Sequence, residues 1–127
     1  MEIKSSKKLV EDALKSINTL SPKEALKQLT ENNCNLIDIR DIRELQNQGK
    51  IDKAHHIPRG MLEFWIDPNS SYFKNGKIDI DKPMILFCAG GLRSALATKT
   101  LLDMGFKNVS HIDGGFASMK HSGFKVV

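Results

Sequence analysis

Cys88, Gly90, Gly91 and Arg93 fall within one six-residue stretch, Cys88-Ala89-Gly90-Gly91-Leu92-Arg93. A thiol, two glycines and a guanidinium at this spacing describe a nucleophile beside a loop that can hold an anion. The preceding Met84-Ile85-Leu86-Phe87 is apolar and short, as befits a strand buried on both faces. Ser94 is a good helix cap, and Ala95-Leu96-Ala97 are good helix formers. The segment therefore reads as strand, tight loop and helix, with the thiol where the strand stops. Such a loop aims several backbone N–H groups at one spot, and the helix N-terminus adds partial positive charge. A thiol there ionises more readily than a free cysteine, whose pKa is about 8.5. A cation such as Arg93 opposes the helix dipole at this end, which argues for an anion nearby. Ala89, Gly90, Gly91, Leu92 and Arg93 are the candidate substrate-binding loop, and Cys88 is the candidate catalytic residue.

Three charged residues elsewhere are candidates for support. Asp38 interrupts the apolar Leu36-Ile37-Asp38-Ile39 run, where a carboxylate must find donors or sit at the strand's mouth. Arg40, two residues on, is its expected structural partner. Arg59 follows Pro58 at a strand end and either reaches the pocket mouth or is a solvated surface residue. Glu44 reads as a capping partner, and His55 and His56 as ordinary strand residues. Cys34 lies between two asparagines without a basic neighbour and reads as incidental.

The elements that must place these residues are legible in outline. Ser5 or Ser6 starts a helix whose inward face is Leu9, Val10, Ala13, Leu14 and Ile17. Asn18-Thr19-Leu20 reads as a connector. Ser21-Pro22-Lys23-Glu24 and Asp41-Ile42-Arg43-Glu44 are capping boxes that open two further helices. Ala54-His55-His56-Ile57 and Val109-Ser110-His111-Ile112 read as short strands, and residues 66–82 as a turn-rich surface loop. Asp113-Gly114-Gly115-Phe116 turns the chain into a last helix. Short apolar strands alternating with helices imply an α/β fold: a small, open, mainly parallel sheet with helices on both faces. Residues 1–20 are expected to be an N-terminal helical extension and residues 21–127 the main domain. In such sheets, sites form at the carboxyl ends of strands, where Cys88 falls.

Composition narrows the partners. The chain has 127 residues and a formal charge of +4, with its lysines scattered and its few aromatics not interleaved with basic residues. This suits a small anionic substrate and argues against nucleic acid. No apolar run approaches a membrane span, and the N-terminal residues lack a signal-peptide core, so the expected compartment is the cytoplasm. There free thiols are expected rather than a Cys34–Cys88 disulfide. Neither CxxC nor HExxH spacing is present, so no metal site is expected. Nor does the chain carry a nucleotide-binding GxxxxGK[ST] or GxGxxG motif.

Four segments together resemble the single-domain rhodanese-like sulfurtransferases: Leu36–Arg40 with Glu44, Gly49–Gly60 with its His56-Ile57-Pro58, the Cys88–Arg93 loop, and Gly114-Gly115-Phe116. The resemblance runs from about Ser21 to the C-terminus. Met119 stands where the family commonly has tryptophan, which reads as a packing substitution. Ala89 and Leu92 are uncharged, so the loop does not specify thiosulfate. The resemblance implies a double displacement: Cys88 takes a sulfane sulfur from thiosulfate or a persulfide and passes it to cyanide or a thiol, with no cofactor. The implied partners are a small anionic sulfur donor and a thiol, cyanide or sulfur-accepting protein, on a chain that is a monomer or homodimer. Loop length bears on the main rival. Cysteine phosphatases and arsenate-reductase-like enzymes on this scaffold interpose one residue more between cysteine and arginine. Two further alternatives are a non-catalytic binding module and a redox-responsive thiol.

Overall fold

The computed structural model describes all residues from Met1 to Val127. Helix α1 (Ser6–Ser16) leads into β1 (Asn18–Leu20), α2 (Pro22–Thr30), β2 (Asn35–Asp38), α3 (Ile42–Gln48) and β3 (His55–His56). A 3₁₀ turn at Arg59–Met61 runs into α4 (Leu62–Ile66), and a turn-rich loop leads to β4 (Met84–Phe87). The chain finishes with α5 (Leu92–Asp103), β5 (Val109–Ile112) and α6 (Gly115–Met119). No helix is long and apolar enough to cross a membrane.

Five strands form one sheet in the order β1-β5-β4-β2-β3, and every pairing is parallel. The expected α/β architecture is therefore present. Asn18-Thr19-Leu20 is not a connector, however. It pairs along β5, with Thr19 opposite His111, and forms the sheet's edge. The sequence hides it because three residues at an edge carry too short a pattern to show period-two alternation.

The central strands alternate their side chains between two apolar layers, as a two-sided sheet requires. Leu36, Ile85, Phe87 and Ile112 face one layer with Ala25, Phe116, Met119 and Phe124. Ile37, Leu86 and Val109 face the other with Leu62, Ile66, Ala97 and Leu101. Met119 is fully buried in the first layer, the packing role its unbranched side chain suits. Small Ala95 and Ala97 let α5 lie close on the sheet. α1 packs against α5, burying Val10 and Ala13.

The helix starts follow local chemistry. Ser21 and Glu24 exchange side-chain and backbone hydrogen bonds, as do Asp41 and Glu44, so both capping boxes form. α5 starts differently from expectation. Its cap is Gly91, in the left-handed region at φ 106°, and Ser94 lies inside the first turn. Only glycine takes that conformation cheaply, and it frees the Ser94 hydroxyl for another role.

Candidate active site

β4 lies at the middle of the sheet, so the loop at its carboxyl end opens between neighbours on both sides. The Cys88 Sγ accepts a hydrogen bond from the Gly91 N–H at 3.2 Å and from the Ser94 N–H at 3.4 Å. The Ser94 Oγ lies 3.5 Å from the sulfur. Burial pushes the Cys88 thiol up. The hydrogen bonds from the Ser94 hydroxyl and from the Ser94, Gly91 and Gly90 N–H groups outweigh that and bring it below the ordinary cysteine range. Cys34 supplies the contrast. It is also a free, buried cysteine, but burial outweighs the nearby Lys82 and raises its thiol. Burial acts on both thiols, and hydrogen-bond donors oppose it at Cys88.

The loop is fixed from behind by the Gly114-Gly115-Phe116 turn. The Phe116 N–H donates to the Cys88 carbonyl at 2.8 Å, and the Ala117 N–H to the Ala89 carbonyl at 3.1 Å. Gly115 has φ 56°, and a side chain there would run into the Cys88 and Ala89 backbone. Glycine is needed for both reasons. Around Gly90, by contrast, a Cβ would meet nothing within 4 Å, so the loop's outer side is open.

Arg93 sits at the rim but is not a free cation. Its guanidinium forks onto Glu44, with Nη1 to Oε2 at 2.8 Å and Nη2 to Oε1 at 2.9 Å. The same Glu44 accepts from the Asp41 N–H. The sequence assigned Glu44 to capping alone. It also clamps α3 to the first turn of α5, beside the Cys88 loop, and neutralises the Arg93 charge. The positive field at the sulfur therefore comes chiefly from N–H dipoles and the α5 N-terminus. Leu92 projects outward, 66% exposed, and with Val10 and Leu96 lines a groove of about 470 Å³ between α1 and α5.

Asp38 and Arg40 form a buried pair beneath the site. Arg40 is 0% exposed, and its Nε and Nη2 reach the Asp38 carboxylate at 2.8–3.1 Å. The Arg40 guanidinium also donates to the Gly49 carbonyl and stacks on Phe116, 4.1 Å from the ring centre. Since Phe116 holds the Cys88 carbonyl, the pair buttresses the loop through one ring. Arg59 is turned elsewhere, onto Glu63 at 2.8 Å and the Thr100 hydroxyl at 3.4 Å, and makes no hydrogen bond to the loop.

Three polar residues at the site went unread in the sequence. By local pattern Ser94 reads as a cap, His111 as a strand residue and Thr19 as a connector. Ser94 Oγ lies 2.9 Å from His111 Nδ1, and His111 Nε2 lies 3.0 Å from Thr19 Oγ1. One signal was available: a histidine in a strand destined for the sheet interior needs polar partners.

Comparison with known proteins bears on the family and the fold. The chain is 33% identical to the thiosulfate sulfurtransferase GlpE of Shewanella oneidensis over 94 residues, covering 73% of this chain and 83% of that protein. The fold superposes on the polysulfide-sulfur transferase homodimer of Wolinella succinogenes with a TM-score of 0.76 and 36% identity, over 95% of this chain and 85% of that one. A Rhodopseudomonas palustris protein of unknown function, described as a possible tyrosine phosphatase, matches with a TM-score of 0.91 and 42% identity over 100% of this chain and 97% of that one. The family model of the rhodanese-like domain matches residues 21–122, which span the central strands, the Cys88 loop and the glycine turn behind it. The chain belongs to the rhodanese-like domain family.

Proposed function

We propose that this protein is a sulfurtransferase that carries sulfur as a Cys88 persulfide. One observation carries the reading: an ionisable sulfur at the base of a tight loop, hydrogen-bonded by the Gly91 and Ser94 N–H groups. The sulfurtransferase relatives support it. The Cys88 thiolate attacks the outer sulfur of thiosulfate or of a persulfide. A new S–S bond forms as the donor's S–S bond breaks, and sulfite or a thiolate leaves with the electron pair. A thiol, cyanide or the cysteine of an acceptor protein then attacks the outer sulfur, and Cys88 leaves as thiolate. Two easy displacements replace one difficult transfer.

Burial fits this division. Cys88 is 1% exposed, so its own sulfur is poorly placed for a bulky acceptor. A persulfide carries the reacting atom about 2 Å further out, one S–S bond length. Loop N–H groups that hold the thiolate also suit the charge on both leaving groups. With Arg93 occupied by Glu44, a strongly charged donor gains no free guanidinium at the rim, which suits persulfides as well as thiosulfate.

Incubation with thiosulfate, and separately with a persulfide, followed by intact mass measurement tests the reading. One added sulfur is expected on wild type, removed by cyanide and absent in Cys88→Ser. A wild-type mass unchanged by both donors would refute it. The description of the Rhodopseudomonas palustris relative makes phosphatase activity the rival. The four residues between Cys88 and Arg93 make a cradle too small for phosphate, so aryl phosphates are expected to remain unhydrolysed.

A further inference from the structure

The buried polar residues behind the loop form one continuous line. Cys88 Sγ lies 3.5 Å from Ser94 Oγ, Ser94 Oγ 2.9 Å from His111 Nδ1, and His111 Nε2 3.0 Å from Thr19 Oγ1. Ser94 is 0% and His111 2% exposed, whereas Thr19 is exposed on the sheet's edge strand. The line thus runs from a buried sulfur to an exposed residue of the edge strand. Polar groups in such a place cost free energy unless every one is paired, and each here has a partner within the line. Apolar residues of similar size would fill the same space without that cost.

We propose that Ser94, His111 and Thr19 are a hydrogen-bond relay that carries the Cys88 proton to the surface, with His111 as the positioning residue that turns the Ser94 hydroxyl toward or away from the sulfur. The relay has two complete states. With the thiol protonated, Sγ–H donates to Ser94, Ser94 donates to Nδ1, and Nε2–H donates to Thr19. With the thiol ionised, every bond reverses: Thr19 donates to Nε2, Nδ1–H donates to Ser94, and Ser94 donates to the thiolate. In passing from one to the other, Cys88 gives its proton to Ser94, Ser94 gives its own to Nδ1, Nε2 gives its own to Thr19, and Thr19 releases its own to water. One proton leaves the sulfur and one reaches solvent. The imidazole stays neutral and changes only its tautomer.

The surroundings suit a neutral ring. Burial holds the His111 imidazole below the ordinary histidine range, against the opposing pull of Asp113 in the turn that follows β5. The charged group facing Cys88 from α5 is Arg93, itself neutralised by Glu44. Only the two neutral tautomers are then in play, and the choice between them follows the charge on the sulfur.

This inference rests on Cys88 as an ionisable nucleophile, and its test uses thiol ionisation rather than sulfur transfer, so the two readings fail separately. The protein is prepared in a Cys34→Ala background, so that Cys88 is the sole thiol. Imidazole nitrogen NMR is recorded across the Cys88 titration, with His111 assigned by through-bond correlation of its ring to its own backbone resonances. The proton is expected to move from Nε2 to Nδ1 as the thiol ionises, and to stay on one nitrogen throughout in Cys88→Ala. Alkylation by iodoacetamide at neutral pH is expected to slow roughly tenfold in His111→Leu, as when a hydrogen bond to a charged group is lost. The inflection of its pH profile should move upward. Thr19→Val, a strand-compatible change at an exposed edge, should move the profile in the same direction without disturbing the fold. A His111 tautomer that stays fixed while Cys88 ionises would overturn the relay, even if His111→Leu does not fold. An alkylation profile in Thr19→Val identical to that of wild type would overturn its role as the outlet.

Discussion

Removing the Asp38 carboxylate should be among the most damaging single changes this protein can suffer. In Asp38→Ala, Arg40 loses its contacts from Nε at 3.0 and 3.1 Å, from Nη2 at 2.8 Å and from its backbone N–H at 3.0 Å. The guanidinium is 0% exposed, so water does not replace them. Its Nη1 has no hydrogen-bond partner to begin with, which leaves little reserve. What remains is the Gly49 carbonyl and the rings of Phe116 and, further off, Phe87. Breaking a buried ion pair in this way costs about 3–5 kcal/mol, against a total stability of roughly 5–15 kcal/mol for a domain. Urea denaturation followed by circular dichroism is the measurement. With a slope of about 2 kcal/mol/M, the midpoint should fall by about 2 M. Replacing both partners, as Asp38→Leu with Arg40→Met, should recover much of the loss, because no charge is then left stranded. The single variant should also slow alkylation of Cys88, because the Phe116 ring under Arg40 belongs to the residue that holds the Cys88 carbonyl. A loss below about 1 kcal/mol in Asp38→Ala would refute the argument, since it would mean that Arg40 escapes to solvent at little cost.

Other consequences can be checked in the same preparations. Gly115→Ala places a methyl group against the Cys88 and Ala89 backbone at a positive φ, so it should cost about 1–3 kcal/mol or more in urea denaturation and reduce Cys88 reactivity. The Arg93 hydrogen bonds, opposed by partial burial, hold the Glu44 carboxyl below its ordinary range. Its contribution to stability is therefore complete above the unfolded value of about 4.3 and is lost as pH falls through the lower folded value. Acid titration of Glu44→Gln should show a weaker pH dependence in that window, and a curve parallel to wild type would contradict it. For Cys88, despite burial, hydrogen bonding lowers the thiol's range, so the reactive thiolate is populated at lower pH than in a free cysteine. Alkylation should rise and level off below the free-thiol value of about 8.5. Ser94→Ala should move that inflection upward.

The sequence alone determined what is local. The capping boxes at Ser21–Glu24 and Asp41–Glu44 span three residues, and the Asp38–Arg40 pair spans two, so their partners are named by the chain itself. The α/β class was legible because buried strands leave apolar runs and helices leave caps between them. The place of Cys88 at a strand end followed from the glycines and the helix formers after it.

What the tertiary structure decided are the partnerships set by strand order and helix docking. Arg93 meets Glu44 across 49 positions, Ser94 meets His111 across 17, and His111 meets Thr19 across 92. None of these pairs leaves a periodic mark, since each depends on which strand lies beside which and on where α3 and α5 dock. The order β1-β5-β4 sets His111 between an edge threonine and the helix that follows the central strand. Arg93, expected as a free charge for the substrate, is instead held by a carboxylate from another helix. The Cys88 thiol and its loop were readable from their neighbours in the chain. The groups that tune it come from elements that only the folded sheet brings alongside.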